Sequence, residues 1–250
     1  MTLAIFDLDN TLIAGDSDFL WGAFLVERGI VDRDEFEREN ERFYLEYREG
    51  VLDIFEFLRF SFRPLRDNRL EDLKRWRRDF VREKIEPIIL PLACELVERH
   101  RAAGDTLLIV TATNEFVTAP IAERLGVPNL IATIPEQSNG RYTGEVAGTP
   151  AFQAGKVKRL LDWLKETSTE LADRTFYSDS HNDIPLLERV DHPVATDPDD
   201  RLQRHARDRG WPVISLRGQS ASWRGREPTR THPPATKQNR ARRRGGSGDF

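Results

Sequence analysis

A doubly wound, Rossmann-like parallel α/β sheet is the fold class that three features of this sequence predict. Short continuous apolar runs such as Leu3–Phe6 and Thr106–Val110 have the composition of strands buried on both faces. Amphipathic helical segments lie between these runs, and strands alternating with helices imply right-handed crossovers and a parallel sheet. Residues 16–84 carry charged helical patterns without a strand, which predicts a helical module inserted after the first strand.

The elements follow in order. Leu3–Phe6 is the first strand. Asp16 is placed to cap a helix that ends at Gly29, and Asp32 to cap one that runs to Gly50 with Phe36, Phe43, Tyr44 and Tyr47 as its aromatic stripe. Two more helices cover about 53–62, stopping near Pro64, and about 68–84. A helix over 91–103 ends at Gly104 and leads into the strand Thr106–Val110. Then come a helix over 115–125, a strand over 130–134, a short hairpin arm over 141–148 and a helix over 152–166. The strand Arg174–Tyr177, a helix over 183–189, a strand at 193–195, a helix over 199–209 and a strand at 213–216 complete the pattern. The expected division is thus an α/β core of 1–15 with 85–216, a helical module of 16–84 and a basic tail of 217–250.

Composition narrows the function. At 250 residues and 38% hydrophobic, the chain can bury a sizeable core. It shows no apolar run of membrane-spanning length and no basic-then-apolar leader pattern. Its one cysteine excludes an intramolecular disulfide. A soluble cytoplasmic protein is expected. The net charge of −4 conceals an asymmetry: 217–250 holds nine basic and two acidic residues, leaving 29 basic and 40 acidic in the rest. So acidic a body argues against a nucleic-acid binder, and only the Arg242-Arg243-Arg244 run could make such a contact. From Gln219 onward Ser, Gly, Pro, Thr and Arg dominate without periodicity, which reads as a disordered tail.

The chemistry-bearing residues fall at predicted strand ends, where ligands bind in doubly wound sheets. Asp7 and Asp9 close the first strand; two residues apart on an extended chain, they can address one site. Buried paired carboxylates are costly unless a cation or specific donors compensate them. Thr111 follows the second strand, and its hydroxyl, with the N–H groups of Ala112 and Thr113 entering a turn, can grip phosphate oxygens. Lys156, after Gly155, supplies a compact positive charge at a helix start. Asp179 and Asp183 end the strand Arg174–Tyr177, and hard oxygen ligands at that spacing suit magnesium.

Asp7-Leu8-Asp9-Asn10-Thr11 resembles the DxDxT signature of the haloacid dehalogenase superfamily of phosphotransferases. Thr111, Lys156 and Ser178-Asp179-Ser180-His181-Asn182-Asp183 are similar to its remaining motifs in their proper order, with Ser178 where glycine is usual. The resemblance covers about residues 3–196. It implies that Asp7 attacks phosphorus to form an aspartyl-phosphate and that Asp9 serves as general acid and then base. It further implies that Thr111, Ala112 and Lys156 hold the phosphate, and that Mg2+ is bound by Asp7, the Asp9 main chain, Asp179 and Asp183. Asn182 would position Asp179 or the loop. The helical insert would be the family's first type of cap, closing over the site and reading the leaving group.

The region around Gly15-Asp16-Ser17-Asp18 and Thr111-Ala112-Thr113-Asn114 is similar to a bacterial phosphoserine-phosphatase-like group, some of whose members are histidinol-phosphatases. Asp16 and Asp18 then imply a substrate amine, with histidinol phosphate preferred over phosphoserine as the small-molecule phosphomonoester. Arg59 and Arg63 are candidates for a substrate carboxylate. Two other classes compete: a phosphomutase, which shares Asp9, and a dead adaptor acting through its tail, which predicts loss of Asp7, Asp9, Lys156 or Asp179. All four acids and bases are present.

Overall fold

The computed structural model describes residues 2–167 and 173–218. Strands β1 (Leu3–Phe6), β2 (Thr106–Asn114), β3 (Asn129–Ser138), β4 (Arg141–Ala147), β5 (Arg174–Ser178), β6 (His192–Thr196) and β7 (Val213–Ile214) form one sheet. Their order is β4-β3-β2-β1-β5-β6-β7. Every neighbouring pair is parallel except the β3–β4 hairpin. The chain winds outward on one side of β1 through β2 and β3, and on the other through β5 and β6. That reversal opens a crevice at the carboxyl ends of β1 and its neighbours.

The strand period of two separates the core into two layers. Leu3, Ile5, Leu108, Val110 and Phe176 pack into one cluster, while Ala4, Phe6, Leu107, Ile109 and Tyr177 belong to the other. Each large side chain buried this way contributes about 1.5–3 kcal/mol. β1 is buried on both faces because helices cover both. These are α6 (Pro91–Ala102), α7 (Glu115–Leu125), α8 (Ala154–Glu166), α9 (Ile184–Leu187) and α10 (Asp200–Arg209).

Between β1 and β2 the chain is helical: α1 (Ser17–Glu27), α2 (Arg33–Glu49), α3 (Ile54–Ser61), α4 (Arg63–Asp67) and α5 (Leu70–Phe80). Asp16, Asp32 and Asp53 cap α1, α2 and α3 by accepting first-turn N–H groups, and Gly50 ends α2 in the left-handed region. Two corrections touch the helical segment. α3 stops at Ser61, near Pro64 as expected, but a further short helix follows that the sequence pattern did not show: Pro64 lies in the first turn of α4, where no N–H is required. The helix expected to 84 is α-helical only to Phe80 and widens into a π-turn over Val81–Ile85. Trp21 of α1 packs edge-on against Phe80 and Phe116, tying this segment to α7.

A third correction bears on the site. β2 does not end at Val110 but runs on to Asn114 after a register shift, so Ala112 lies in the strand and not at the start of a turn. Among the described residues no helix is long and apolar enough to cross a membrane. The tail expected over 217–250 lies outside the described residues from residue 219 onward.

Candidate active site

Asp7 follows β1 directly, and its N–H donates to the Tyr177 carbonyl at 2.9 Å, which fixes it beside the end of β5. Its side chain is 5% exposed. Lys156 on α8 reaches it: Nζ donates to Asp7 Oδ1 at 2.7 Å and to Asp183 Oδ2 at 2.8 Å, with the lysine itself buried. Asp183 Oδ2 also accepts the Ser178 hydroxyl at 2.7 Å. The Thr11 hydroxyl donates to Asp179 Oδ1 and accepts the Asp179 N–H, each at 3.1 Å, so the first motif holds the fourth directly. Asp9 accepts the Ser17 N–H at 2.6 Å and the Thr113 hydroxyl at 2.8 Å, while Thr111 Oγ1 stands 3.4 Å away.

Gly155 explains how Lys156 gets there. A Cβ at Gly155 would sit 2.1 Å from the Pro150 carbonyl oxygen, a backbone atom that cannot swing away. Gly155→Ala is expected to shift the start of α8, to destabilise by about 1–3 kcal/mol as overpacking does, and to lower turnover through Lys156. Thermal unfolding beside steady-state kinetics checks this; unchanged kinetics would show that Lys156 does not depend on the close approach.

The electrostatics follow from crowding. Burial pushes the Asp7 carboxyl up to about 7; Lys156 opposes the shift, while the charges of Asp183 and Asp9 add to it. Burial, with the Asp16 charge nearby, raises Asp9 to about 6 against its bonds from Ser17 and Thr113. Asp179 is held well above the usual carboxylate range by burial and by Asp7 and Asp183. Burial works against a charged Lys156, but Asp183 and Asp7 outweigh it and hold the ammonium above its ordinary range. One ammonium does not balance so many carboxylates.

That imbalance and the hard oxygen donors fit a divalent cation. Among the described residues no three His, Cys, Asp or Glu side chains form a complete cage. Magnesium does not need one: it keeps several waters and is held by one or two carboxylates with substrate phosphate oxygens.

The predicted residues Asp7, Asp9, Thr111, Lys156, Asp179 and Asp183 therefore converge. Ala112 does not offer a turn: its carbonyl accepts the Thr133 hydroxyl at 2.7 Å inside the sheet. Asp16 is an exposed N-cap whose Oδ1 accepts the N–H groups of Asp18 and Phe19, both at 2.9 Å. Asp18 is half-buried, accepts bonds from Ser61 and Asn114, and is raised by burial to about 6. Arg59 and Arg63 pair with Glu145 and Glu35 respectively. Asn182 accepts the Gln153 side-chain amide at 2.8 Å, which links its loop to the approach to α8. The sequence reading gave no role to the side chains of Thr11, Thr113 or Ser178. Thr11 lies inside the first acidic motif and Ser178 adjoins the fourth, which was the available signal; Thr113 offered only its place two residues after Thr111. Tyr47 was read only as part of a stripe, yet its hydroxyl lies 2.7 Å from Ser180 Oγ, linking α2 to the Asp179 loop.

Fold and site together define an α/β enzyme with an acidic crevice at the carboxyl ends of β1 and β5. Residues 4–188 match the model of the haloacid dehalogenase-like hydrolases, and the chain belongs to that family. It is 46% identical to a histidinol-phosphatase of Neisseria meningitidis serogroup C over 86% of this chain and 99% of that one. It is 32% identical to the phosphoserine phosphatase SerB1 of Mycobacterium tuberculosis, over 86% of this chain and 70% of that protein. A crystal structure of a protein of unknown function from Bordetella pertussis Tohama I superposes with a TM-score of 0.82 at 44% identity, covering 86% of this chain and all (100%) of the other.

Proposed function

We propose that the chain is a magnesium-dependent phosphomonoesterase that works through an aspartyl-phosphate on Asp7 and prefers histidinol phosphate. The observation that carries the chemistry is Lys156 bridging Asp7 and Asp183, with Asp9 held two residues beyond Asp7. In the first half-reaction an Asp7 carboxylate oxygen bonds to phosphorus as the P–O ester bond breaks, and Asp9 gives its proton to the departing alkoxide. In the second, water bonds to phosphorus, its proton passes to Asp9, the Asp7–phosphorus bond breaks and hydrogen phosphate leaves. An acid near 6 suits both directions of transfer at neutral pH. Lys156 and the Thr111 hydroxyl offset charge on the non-bridging oxygens. Magnesium, held by Asp7, the Asp9 main-chain carbonyl and Asp179 with Asp183 in support, would screen the phosphate charge and orient it.

The substrate reading rests on the half-buried Asp18 beside Asp9 and on the Neisseria relative's name. A carboxylate over the leaving-group side favours a cationic amine, and histidinol phosphate carries one without a carboxylate. The helical segment Ser17–Phe80 acts as the cap that reads it. A single cysteine and small-metabolite chemistry support a cytoplasmic role in amino-acid biosynthesis. The second reading, phosphoserine, is favoured by the likeness to SerB1.

Phosphate release from histidinol phosphate, phosphoserine, a nucleoside monophosphate and a sugar phosphate tests both. Histidinol phosphate should be turned over fastest, and Asp18→Asn should raise its KM about tenfold or more while sparing an ester without an amine. Preference for phosphoserine would replace the substrate assignment, and a requirement for a bisphosphate activator would indicate a mutase. Chelation should abolish turnover. Magnesium should also raise the thermal midpoint more at pH 8 than at pH 5. Asp7 near 7 and Asp9 near 6 lie above the roughly 3.9 of an unfolded aspartate. Their stabilising contribution is therefore complete below about pH 4 and lost as pH rises through 7. A cation restores it only where the carboxyls are charged, so an equal rise at both pH values would count against magnesium at these groups.

A further inference from the structure

We infer that Thr113 is a positioning residue for Asp9, holding its Oδ2 oxygen so that the proton meets the leaving group. The inference rests on the reading of Asp9 as the proton donor. Its starting point is the unexpected length of β2. Past Val110 the strand shifts register and pairs again at Asn114 with Thr133. The Thr133 hydroxyl pins this stretch by donating to the Ala112 carbonyl at 2.7 Å while accepting the Ala151 N–H at 3.1 Å. Thr113 is thereby carried over Asp9, to which its Oγ1 donates at 2.8 Å. Thr111 reaches the same oxygen only at 3.4 Å and accepts the Thr113 N–H at 3.2 Å.

The other oxygen of Asp9 is held from the opposite side. The N–H of Ser17, first residue of α1, donates to Oδ1 at 2.6 Å. Asp9 is clamped between the end of β2 and the base of the helical segment, one short donor on each oxygen and the longer Thr111 bond beside it on Oδ2. Two such bonds remove both side-chain torsions of an aspartate, the preorganisation that catalytic groups need. The two donors are not equivalent. An amide N–H can only donate, so Oδ1 stays an acceptor and the proton resides on Oδ2. Thr113 donates to one side of Oδ2 and leaves its other side for the proton, so the bond persists whether Asp9 is charged or protonated. At 8% exposure, Thr113 works with little help from water. A methyl in place of its hydroxyl leaves Oδ2 only the long 3.4 Å bond from Thr111.

The test separates positioning from folding through the leaving group. An alkoxide needs the proton from Asp9 to depart, whereas a p-nitrophenolate departs without it. First-turnover release of the alcohol from an alkyl phosphate that the enzyme accepts is compared with release from p-nitrophenyl phosphate, in wild type, Thr113→Val, Thr113→Ser and Asp9→Asn. Thr113→Val should slow the alkyl ester about ten- to a hundredfold, the usual effect of losing a bond to a charged group. It should slow the aryl ester far less, leave KM nearly unchanged, and be rescued by Thr113→Ser. Thr113→Ala is the second variant should valine not fold. If Asp9→Asn discriminates between the esters and Thr113→Val does not, the inference alone falls. If Asp9→Asn shows no discrimination, the role of Asp9 falls and the inference with it.

Discussion

Lys156→Met is expected to abolish turnover and to lower the thermal midpoint at pH 8 by about 6–20 °C. The stem of methionine fills the same space, so the loss comes from charge. Asp7 Oδ1 and Asp183 Oδ2 each lose a donor at 2.7 and 2.8 Å, and both carboxyls are buried. Breaking a buried ion pair by removing one partner costs about 3–5 kcal/mol, because the remaining charge is left uncompensated. For a chain of this length each kcal/mol moves the midpoint by about 2–4 °C. The contrast is Lys158→Met, which removes an exposed pair with Asp162 and should cost no more than about 1 kcal/mol. The sign of the pH dependence adds a second check. Without the ammonium the Asp7 carboxyl, already raised, rises further, so the added destabilisation is present at pH 8 and fades as the acids take up protons towards pH 4. Calorimetry at the two pH values decides: an equal loss at both would mean that packing, not charge, is what Lys156 supplies.

The parts of this molecule legible in the sequence are those set by local rules. β1 was readable because a strand covered on both faces must be apolar throughout, and Leu3–Phe6 is. Asp16, Asp32 and Asp53 were readable as helix starts because a cap needs only its own side chain and the next three N–H groups. The extension of β2 was not legible. Thr111-Ala112-Thr113-Asn114 is polar and carries no strand period, and it is strand only because Thr133, distant in sequence, pairs with Asn114. The same holds for β3, which extends to Ser138 because β4 folds back on it. In the site, Asp7, Asp9, Lys156, Asp179 and Asp183 stood out because buried charge at strand ends is expensive and so conspicuous. Thr11, Thr113 and Ser178 did not, since a hydroxyl after a strand is ordinary until its partner is known. Asp16 and Asp18 looked alike in sequence. Only the fold distinguishes an exposed cap from a half-buried acid held by Ser61 and Asn114.

Asp7→Asn should lower turnover by a factor on the order of 10^4 or more, the scale of losing the nucleophile in a covalent mechanism. It should also leave the protein more stable at pH 8, and the two effects together are what make the variant informative. An amide oxygen can still accept from Lys156, so the bridge to α8 has a route to survive. What disappears is a carboxylate that burial and the charges of Asp183 and Asp9 have pushed up to about 7. A carboxyl raised in the folded state stabilises the fold below about pH 4 and weakens it as pH climbs through 7, so its removal helps at pH 8 and has no benefit at pH 4. Active sites store such opposition between function and stability. Acid-quenched wild type mixed with substrate should carry phosphate on Asp7, detectable by peptide mass, and the variant should carry none. Lost turnover with a higher midpoint identifies Asp7 as the proposed nucleophile. Lost turnover with a lower midpoint would instead assign Asp7 a structural part beside Lys156, and phosphate found on another side chain would move the covalent step away from β1.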